Sequence, residues 1–302
     1  MLRKKLEKNT LKAKSDELEI PFSNLLAGFV LEELLYLIYS STFSQTLVLK
    51  NEAVFGIEQY RNKNLLTLEF AYLLDEDMIE NGEFGPGGEI SLKLAYLMLS
   101  SFLQKEKVPE IKWRGKSSIE NNRIEMRING EFEEMTVPVR IFINPVPKTE
   151  ITPEQGVLTP FMRENDRIAY LCYPSEYALS ENLFLIIKDM ELIPDLLPYD
   201  RTFEILHSQL VDGRHIQEHI LLYCKRDQIE PTPDRMEEIL SYREYSYMRK
   251  RWNKYRKRHH PNGPNWEDVI DAIQNFLKPV WQACCRDEIF FGDWMPELSR
   301  FL

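Results

Sequence analysis

The chain has 302 residues, 43% of them apolar and 12% aromatic, which is material enough for two hydrophobic cores. A net charge of −10 excludes a protein that coats nucleic acid with its whole surface. No uninterrupted apolar run approaches the roughly 18 residues of a membrane span, and the charged start MLRKKLEKNTLKAKSDE has no apolar core of a secretion signal behind it, so a cytoplasmic protein with no membrane partner is expected. The four cysteines, Cys172, Cys224, Cys284 and Cys285, show no CxxC spacing and read as reduced thiols rather than zinc ligands.

Residues 1–21 carry Arg3, Lys4, Lys5, Lys8, Lys12 and Lys14 among few apolar residues and read as a basic N-terminal extension, solvated or a frayed helix, weighed against an arm that touches RNA or a partner. After Pro21, Phe22–Tyr39 is apolar at helical spacing, a core helix with Glu32 and Glu33 turned outward. Leu47–Leu49 then reads as a buried strand. Ala53, Val54, Ile57 and Tyr60 fall on one face of a short helix, and LLTLEF returns to a strand. Asp75, Glu76 and Asp77 form an acidic turn after that strand, and Asn81–Glu89 a plain loop before the helix ISLKLAYLMLSSFLQ.

Residues 108–144 alternate as strands, with Asn129-Gly130 as the hairpin turn and with Arg140 and Phe142 on one face of RIFIN. From Pro174 the pattern is helical to the end, with breaks at Pro194, Pro198, Asp212-Gly213, Pro231–Pro233 and Pro261–Pro264. The chain therefore divides near residue 172 into a mixed core, 22–172, and a helical domain, 173–302. His215 and His219 stand four apart behind Asp212, a spacing seen in metal sites, but with no further ligand in the motif they read as an exposed helix face and no metal is assigned.

Tyr247–His260, YMRKRWNKYRKRHH, holds seven Lys or Arg in fourteen residues. Met248, Trp252, Tyr255 and His259 make one helical stripe that faces a core, leaving Arg249, Lys250, Arg251, Lys254, Arg256, Lys257 and Arg258 on the remaining faces. In an acidic chain this is the candidate for phosphate contacts with nucleic acid, weighed against a solvated or acid-paired face.

FVLEELLYLIYSSTFSQTLVLK, followed by a short helix and a second strand, resembles the opening of the AbiEii/AbiGii toxin family of nucleotidyltransferases. VPVRIFINPVPKTEITP is similar to that family's third-carboxylate strand, CYPSEYALSEN to the start of its "YPxExxxAEK" helix, and Tyr199-Asp200 falls where the family has "DxYDL". IQEHILLYCKR and RKRWNKYRKRHHPNGPNWEDVIDAIQNFLKPVW are similar to its closing helices, so the likeness runs from about residue 22 to 281. The resemblance implies an α/β (α+β) fold, a nucleotidyltransferase-like mixed sheet followed by a helical domain.

It also implies a site: a Gly-Gly turn for the triphosphate, two carboxylates at i and i+2 of the second strand, a third on a neighbouring strand, and a lysine on the later helix. Two Mg²⁺ ions clamped there would neutralise the phosphates and activate the attacking oxygen. At the matching positions stand Lys50, Asn51 and Glu52 in the turn, Thr67 and Glu69 on the strand, then Phe142 and Asn182. Only Glu69 keeps a suitable group. A carboxylate at Glu52 also costs about 4 kcal/mol against a phosphate charge 4 Å away at an effective dielectric of 20.

The expectation is a nucleotidyltransferase fold whose transfer chemistry is lost or impaired, with no cofactor, working by interaction or RNA binding. The resemblance places it in a phage-defence or toxin–antitoxin setting, with RNA (tRNA) or an antitoxin-like protein as partner. The rival expectation is an active transferase using Mg²⁺ and a nucleoside triphosphate, in which Glu69 and carboxylates of Asp75–Asp77 modify RNA or protein.

Overall fold

A computed structural model of the chain describes residues 5–61, 67–75, 90–103, 107–259 and 263–302. The chain divides into two compact units, residues 1–173 and 174–302.

In the first unit, helix α2 (Phe22–Tyr39) is buried nearly all round, as its sequence demands: Leu25, Phe29, Val30, Leu34, Leu35 and Ile38 are all closed to solvent. It is long and apolar enough to cross a membrane, yet here it is the core helix of this unit. Against it lies a seven-stranded mixed sheet built from β1 (Leu47–Leu49), β2 (Thr67–Leu74), β3 (Ile111–Glu120), β4 (Arg123–Phe132), β5 (Met135–Pro147), β6 (Glu154–Leu158) and β7 (Ile168–Cys172), in the order β3-β4-β5-β2-β1-β7-β6. Two neighbouring pairs are parallel, β2 with β5 and β1 with β7, and the others are antiparallel. Phe29 of α2 meets Phe132 of β4 edge-on at 5.9 Å, and Tyr39 packs on Phe70 of β2 at 6.3 Å.

Three expectations are corrected here. Glu32 and Glu33 point inward, not outward, and are 2% and 0% exposed. Their charge is met from far along the chain: Glu32 accepts from the Tyr60 hydroxyl at 2.9 Å and the Phe161 amide at 3.1 Å, while Glu33 takes Arg163 Nε at 2.7 Å. Arg163 also binds Glu110, so one guanidinium answers two buried carboxylates.

The Asn129-Gly130 pair is not a turn but the interior of β4. Gly130 is there because a Cβ would stand 2.7 Å from Val30 Cγ1 of α2, so the helix lies directly on the backbone. The turn that joins β4 to β5 falls instead at Glu133-Glu134, where Phe132 pairs with Met135 and Glu133 is left-handed (φ 52°), while β3 and β4 are joined at Asn121-Asn122, both left-handed (φ 50° and 54°), the conformation a two-residue hairpin favours. The N-terminal basic segment is a helix, as one of its readings had it, but a docked rather than a solvated or frayed one: Lys8–Leu18 forms α1, whose Leu11 is fully buried in this core.

Between β1 and β2 the helix is broken. A short 3₁₀ turn at Glu52–Val54 gives way to α3 (Ile57–Arg61), and Gly56 between them has φ 141°, a conformation that interrupts any continuous helix. Helix α4 (Leu92–Phe102) buries Leu94, Ala95, Met98, Leu99 and Phe102. Glu76, Asp77 and Asn81–Glu89 lie outside the described residues.

The second unit contains α5 (Ser175–Asp189), α6 (Leu197–Ser208), α7 (Gly213–Arg226), α8 (Pro233–Ser241), α9 (Ser246–His259) and α10 (Trp266–Arg286). The expectation of helix to the end is corrected by a small sheet, β8 (Val211–Asp212), β9 (Asp293–Met295) and β10 (Arg300–Phe301), in the order β10-β9-β8. Trp252, Trp266, Trp281 and Trp294 fill this core, and each indole N–H reaches a backbone carbonyl, of Pro264, Tyr242, Thr232 and Leu206 respectively. Satisfying the indole while burying its rings is what lets so large a side chain serve as core.

Candidate functional site

β2 sits at the centre of the sheet, and period-two alternation puts Thr67 and Glu69 on its outer face. The parallel pairing with β5 sets Thr67 opposite Arg140 and Glu69 opposite Phe142. One strand further, Phe142 faces Glu125 of β4. The structure thus gathers Thr67, Glu69 and Phe142 in adjoining positions of one face.

That face does not have the donor set of a divalent-metal site. Arg123, at the start of β4, holds its guanidinium 4.4 Å from the centre of the Phe142 ring. A fixed cation over an aromatic ring occupies the ground where a third carboxylate would have to stand, and it repels a second cation. Glu125 cannot substitute: it is two strands from Glu69, about 9.6 Å at ordinary strand spacing, and Arg127 Nε holds it at 2.8 Å. Arg127 foremost, with Arg140 and Arg123 adding to it, keeps Glu125 below the usual carboxylate range. Among the described residues no cluster of three His, Cys, Asp or Glu could hold a metal ion.

The turn after β1 is filled by the protein itself. The Asn51 carboxamide is a clip on β2: its Nδ2 donates to the Thr67 carbonyl and its Oδ1 accepts from the Glu69 amide, both at 2.9 Å. The Lys50 amide donates to the Glu69 carbonyl at 2.8 Å, so the ladder runs on past the end of the strand. Glu52 accepts from the Tyr170 hydroxyl at 3.0 Å, and Lys50 Nζ lies 4.5 Å over the Tyr173 ring. Burial first, then the Glu52 carboxylate, push the Tyr170 hydroxyl and the Cys172 thiol above their ordinary values, which marks this corner as electronegative.

Asp75, part of the rival carboxylate set, is ion-paired with Lys148 at 2.9 Å. It follows Glu69 by six residues, about 20 Å along an extended strand, so the two cannot share an ion. Asn182 lies in α5 and is 8% exposed. His215 is exposed and meets Glu176 at 3.2 Å, while the His219 ring packs tilted against Tyr177 with centroids 4.3 Å apart. A cleft of about 1080 Å³ between α1 and the Phe161–Arg167 turn has none of these residues in its walls.

The basic helix α9 divides into two groups. Met248 and Trp252 are fully buried, Tyr255 bonds Asp200 at 3.0 Å, and Tyr255 stacks between Trp252 and His259. Arg249 pairs with Glu267 at 2.7 Å, Arg251 donates to the carbonyls of Glu191, Ile193 and Pro194, and Arg256 to those of Gly263 and Pro264. These three arginines are structural. Lys250, Lys254, Lys257 and Arg258 are exposed and, among the described residues, unpaired. They stand at i, i+4, i+7 and i+8, a single stripe.

The sequence offered no signal for Arg123 or Arg163. Alternation puts Arg123 on a face but cannot say which strand will lie beside it.

No protein-family model matches the chain, and no curated protein matches it. Among solved structures, JHP933 from Helicobacter pylori aligns over 89% of this chain and 96% of its own at 8% identity and a TM-score of 0.47. A candidate nucleotidyltransferase of H. pylori aligns over 87% of this chain and 95% of its own at 9% identity and a TM-score of 0.39.

Proposed function

We propose that the chain is a nucleotidyltransferase-fold protein that no longer transfers nucleotides and acts through RNA binding, with α9 as a contact. The observation that carries the first half is the row Glu69–Phe142 beneath Arg123. A transferase needs metal on that face, and a phenyl ring under a guanidinium offers neither ligand nor charge for one. The Asn51 clip and the Glu52 carboxylate argue the same way at the phosphate turn, so neither Mg²⁺ nor a nucleoside triphosphate is a cofactor in this reading. The stripe Lys250–Lys254–Lys257–Arg258 supports the second half. The phage-defence or toxin–antitoxin setting and an antitoxin-like partner remain part of the proposal on the sequence resemblance alone.

The test is to incubate the purified protein with labelled nucleoside triphosphates, Mg²⁺ or Mn²⁺ and total tRNA. No transfer above background is expected, and robust transfer abolished by Glu69→Gln overturns the reading. For α9, K250Q/K254Q/K257Q/R258Q should keep stability within about 1 kcal/mol, as exposed positions do, while weakening tRNA binding and flattening its salt dependence.

A further inference from the structure

The outer face of β3, β4 and β5 presents six cations, Lys112, Arg114, Lys116, Arg123, Arg127 and Arg140, against three carboxylates, Glu120, Glu125 and Glu131. In a chain of net charge −10 this is a local reversal of sign. Two of the carboxylates are already engaged, Glu125 by Arg127 at 2.8 Å and Glu131 by Arg114 at 3.2 Å.

The register makes the reversal sharper. Lys116 pairs with Arg127, Arg127 with Arg140, and Arg140 with Thr67, so three cations stand directly opposite one another across three adjacent strands. All three are exposed, and Lys116 and Arg140 make no ion pair or hydrogen bond among the described residues. Like charges directly opposite in a sheet oppose its formation, so a row of three is not there for stability.

We propose that this face is a docking surface for single-stranded RNA, with phosphates seated on the row Lys116–Arg127–Arg140. Strand spacing sets the three cations within about 10 Å, a line that a flexible phosphodiester chain can follow. The neighbouring row, Glu125–Phe142–Glu69, holds Phe142 with the Arg123 guanidinium over it, a planar platform on which an unpaired base can stack, while its two carboxylates leave the phosphates to the cation row. Ser118, Asn129, Thr136, Thr67 and Asn144 share the face and supply partners for 2′-hydroxyls, which separates RNA from DNA. The inference rests on the RNA-binding half of the proposed function and adds a second, separately removable contact.

The experiment is fluorescence anisotropy of the full chain with a labelled 20-nucleotide mixed-sequence RNA and the same sequence as DNA, over a salt series. K116Q/R140Q leaves the Arg127–Glu125 pair intact. It should lower RNA affinity about tenfold and reduce the log–log salt slope by about 1.4, the share of two phosphate contacts on a single strand. DNA should bind at least several-fold more weakly than RNA. Unchanged melting of K116Q/R140Q by circular dichroism shows that the loss is not unfolding. If that variant melts early, K116R/R140K, which keeps the charges, must restore binding.

Unchanged affinity and slope in K116Q/R140Q, or equal binding of RNA and DNA, overturns the proposal. Loss of binding in the α9 variant alone overturns the sheet and keeps α9. Loss in the sheet variant alone does the reverse, and no RNA binding by the wild type overturns both.

Discussion

Arg163→Met should be the most damaging single change in the first unit. The guanidinium is the shared counter-charge of Glu33 and Glu110, whose side chains are 0% and 1% exposed. Removing one partner of a buried ion pair costs about 3–5 kcal/mol, because the carboxylates left behind stay desolvated. At about 2–4 °C per kcal/mol for a unit of this size, its melting point should fall by roughly 10 °C.

The pH dependence identifies the cause. Burial, with Glu33 adding to it and Arg163 opposing it, holds Glu110 above its ordinary value of 4.5. A carboxyl raised in the folded state binds protons that the unfolded chain has released. Its stability is therefore complete below the ordinary value and is lost as pH rises through the folded one. Without Arg163 that loss deepens, so the variant's deficit should be largest near pH 8 and shrink toward pH 5.

Hydrogen exchange of the α2 amides at several pH values reads this unit directly. R163M/E33Q/E110Q should recover most of the protection, since neutralising the whole cluster removes the stranded charge. A deficit under about 1 kcal/mol, or one equal at pH 5 and pH 8, would refute the reasoning.

Gly130→Val should cost about 1–3 kcal/mol by overpacking, since even its Cβ lands 2.7 Å from Val30 Cγ1; urea denaturation checks it. Asn51→Ala removes both hydrogen bonds of the β1–β2 clip, and about 1–2 kcal/mol of stability is expected to go with them, read by the same denaturation. Restoring the turn alone, as N51G/E52G, should still give no saturable binding of ATP, GTP, CTP or UTP with Mg²⁺ by calorimetry, because Phe142 and Arg123 remain. Arg251→Gln should destabilise the second unit by more than 1 kcal/mol, as it withdraws a charged donor from three carbonyls.

Periodicity in the sequence was enough to place α2, the strands β1, β2 and β5, the alternating faces that pair Thr67 with Glu69 and Arg140 with Phe142, and the buried stripe of α9. These features follow from the repeat of apolar residues along a few turns or one strand, which is local information. What lay beyond it were the partners. Glu32 and Glu33 look like a solvent face until Tyr60, Phe161 and Arg163 arrive from 28 to 130 residues away. Asn129-Gly130 carries a strong hairpin signal, yet the glycine answers to the closeness of α2, and the chain turns four residues later at Glu133-Glu134. The seven basic residues of α9 are alike in sequence; three were assigned to backbone carbonyls or Glu267 and four to solvent only by what packs around the helix. The same holds for Arg123 over Phe142 and for the cation row across β3, β4 and β5. A strand's alternation fixes which side a residue faces, while its neighbours depend on sheet order and register, which only the assembled core decides.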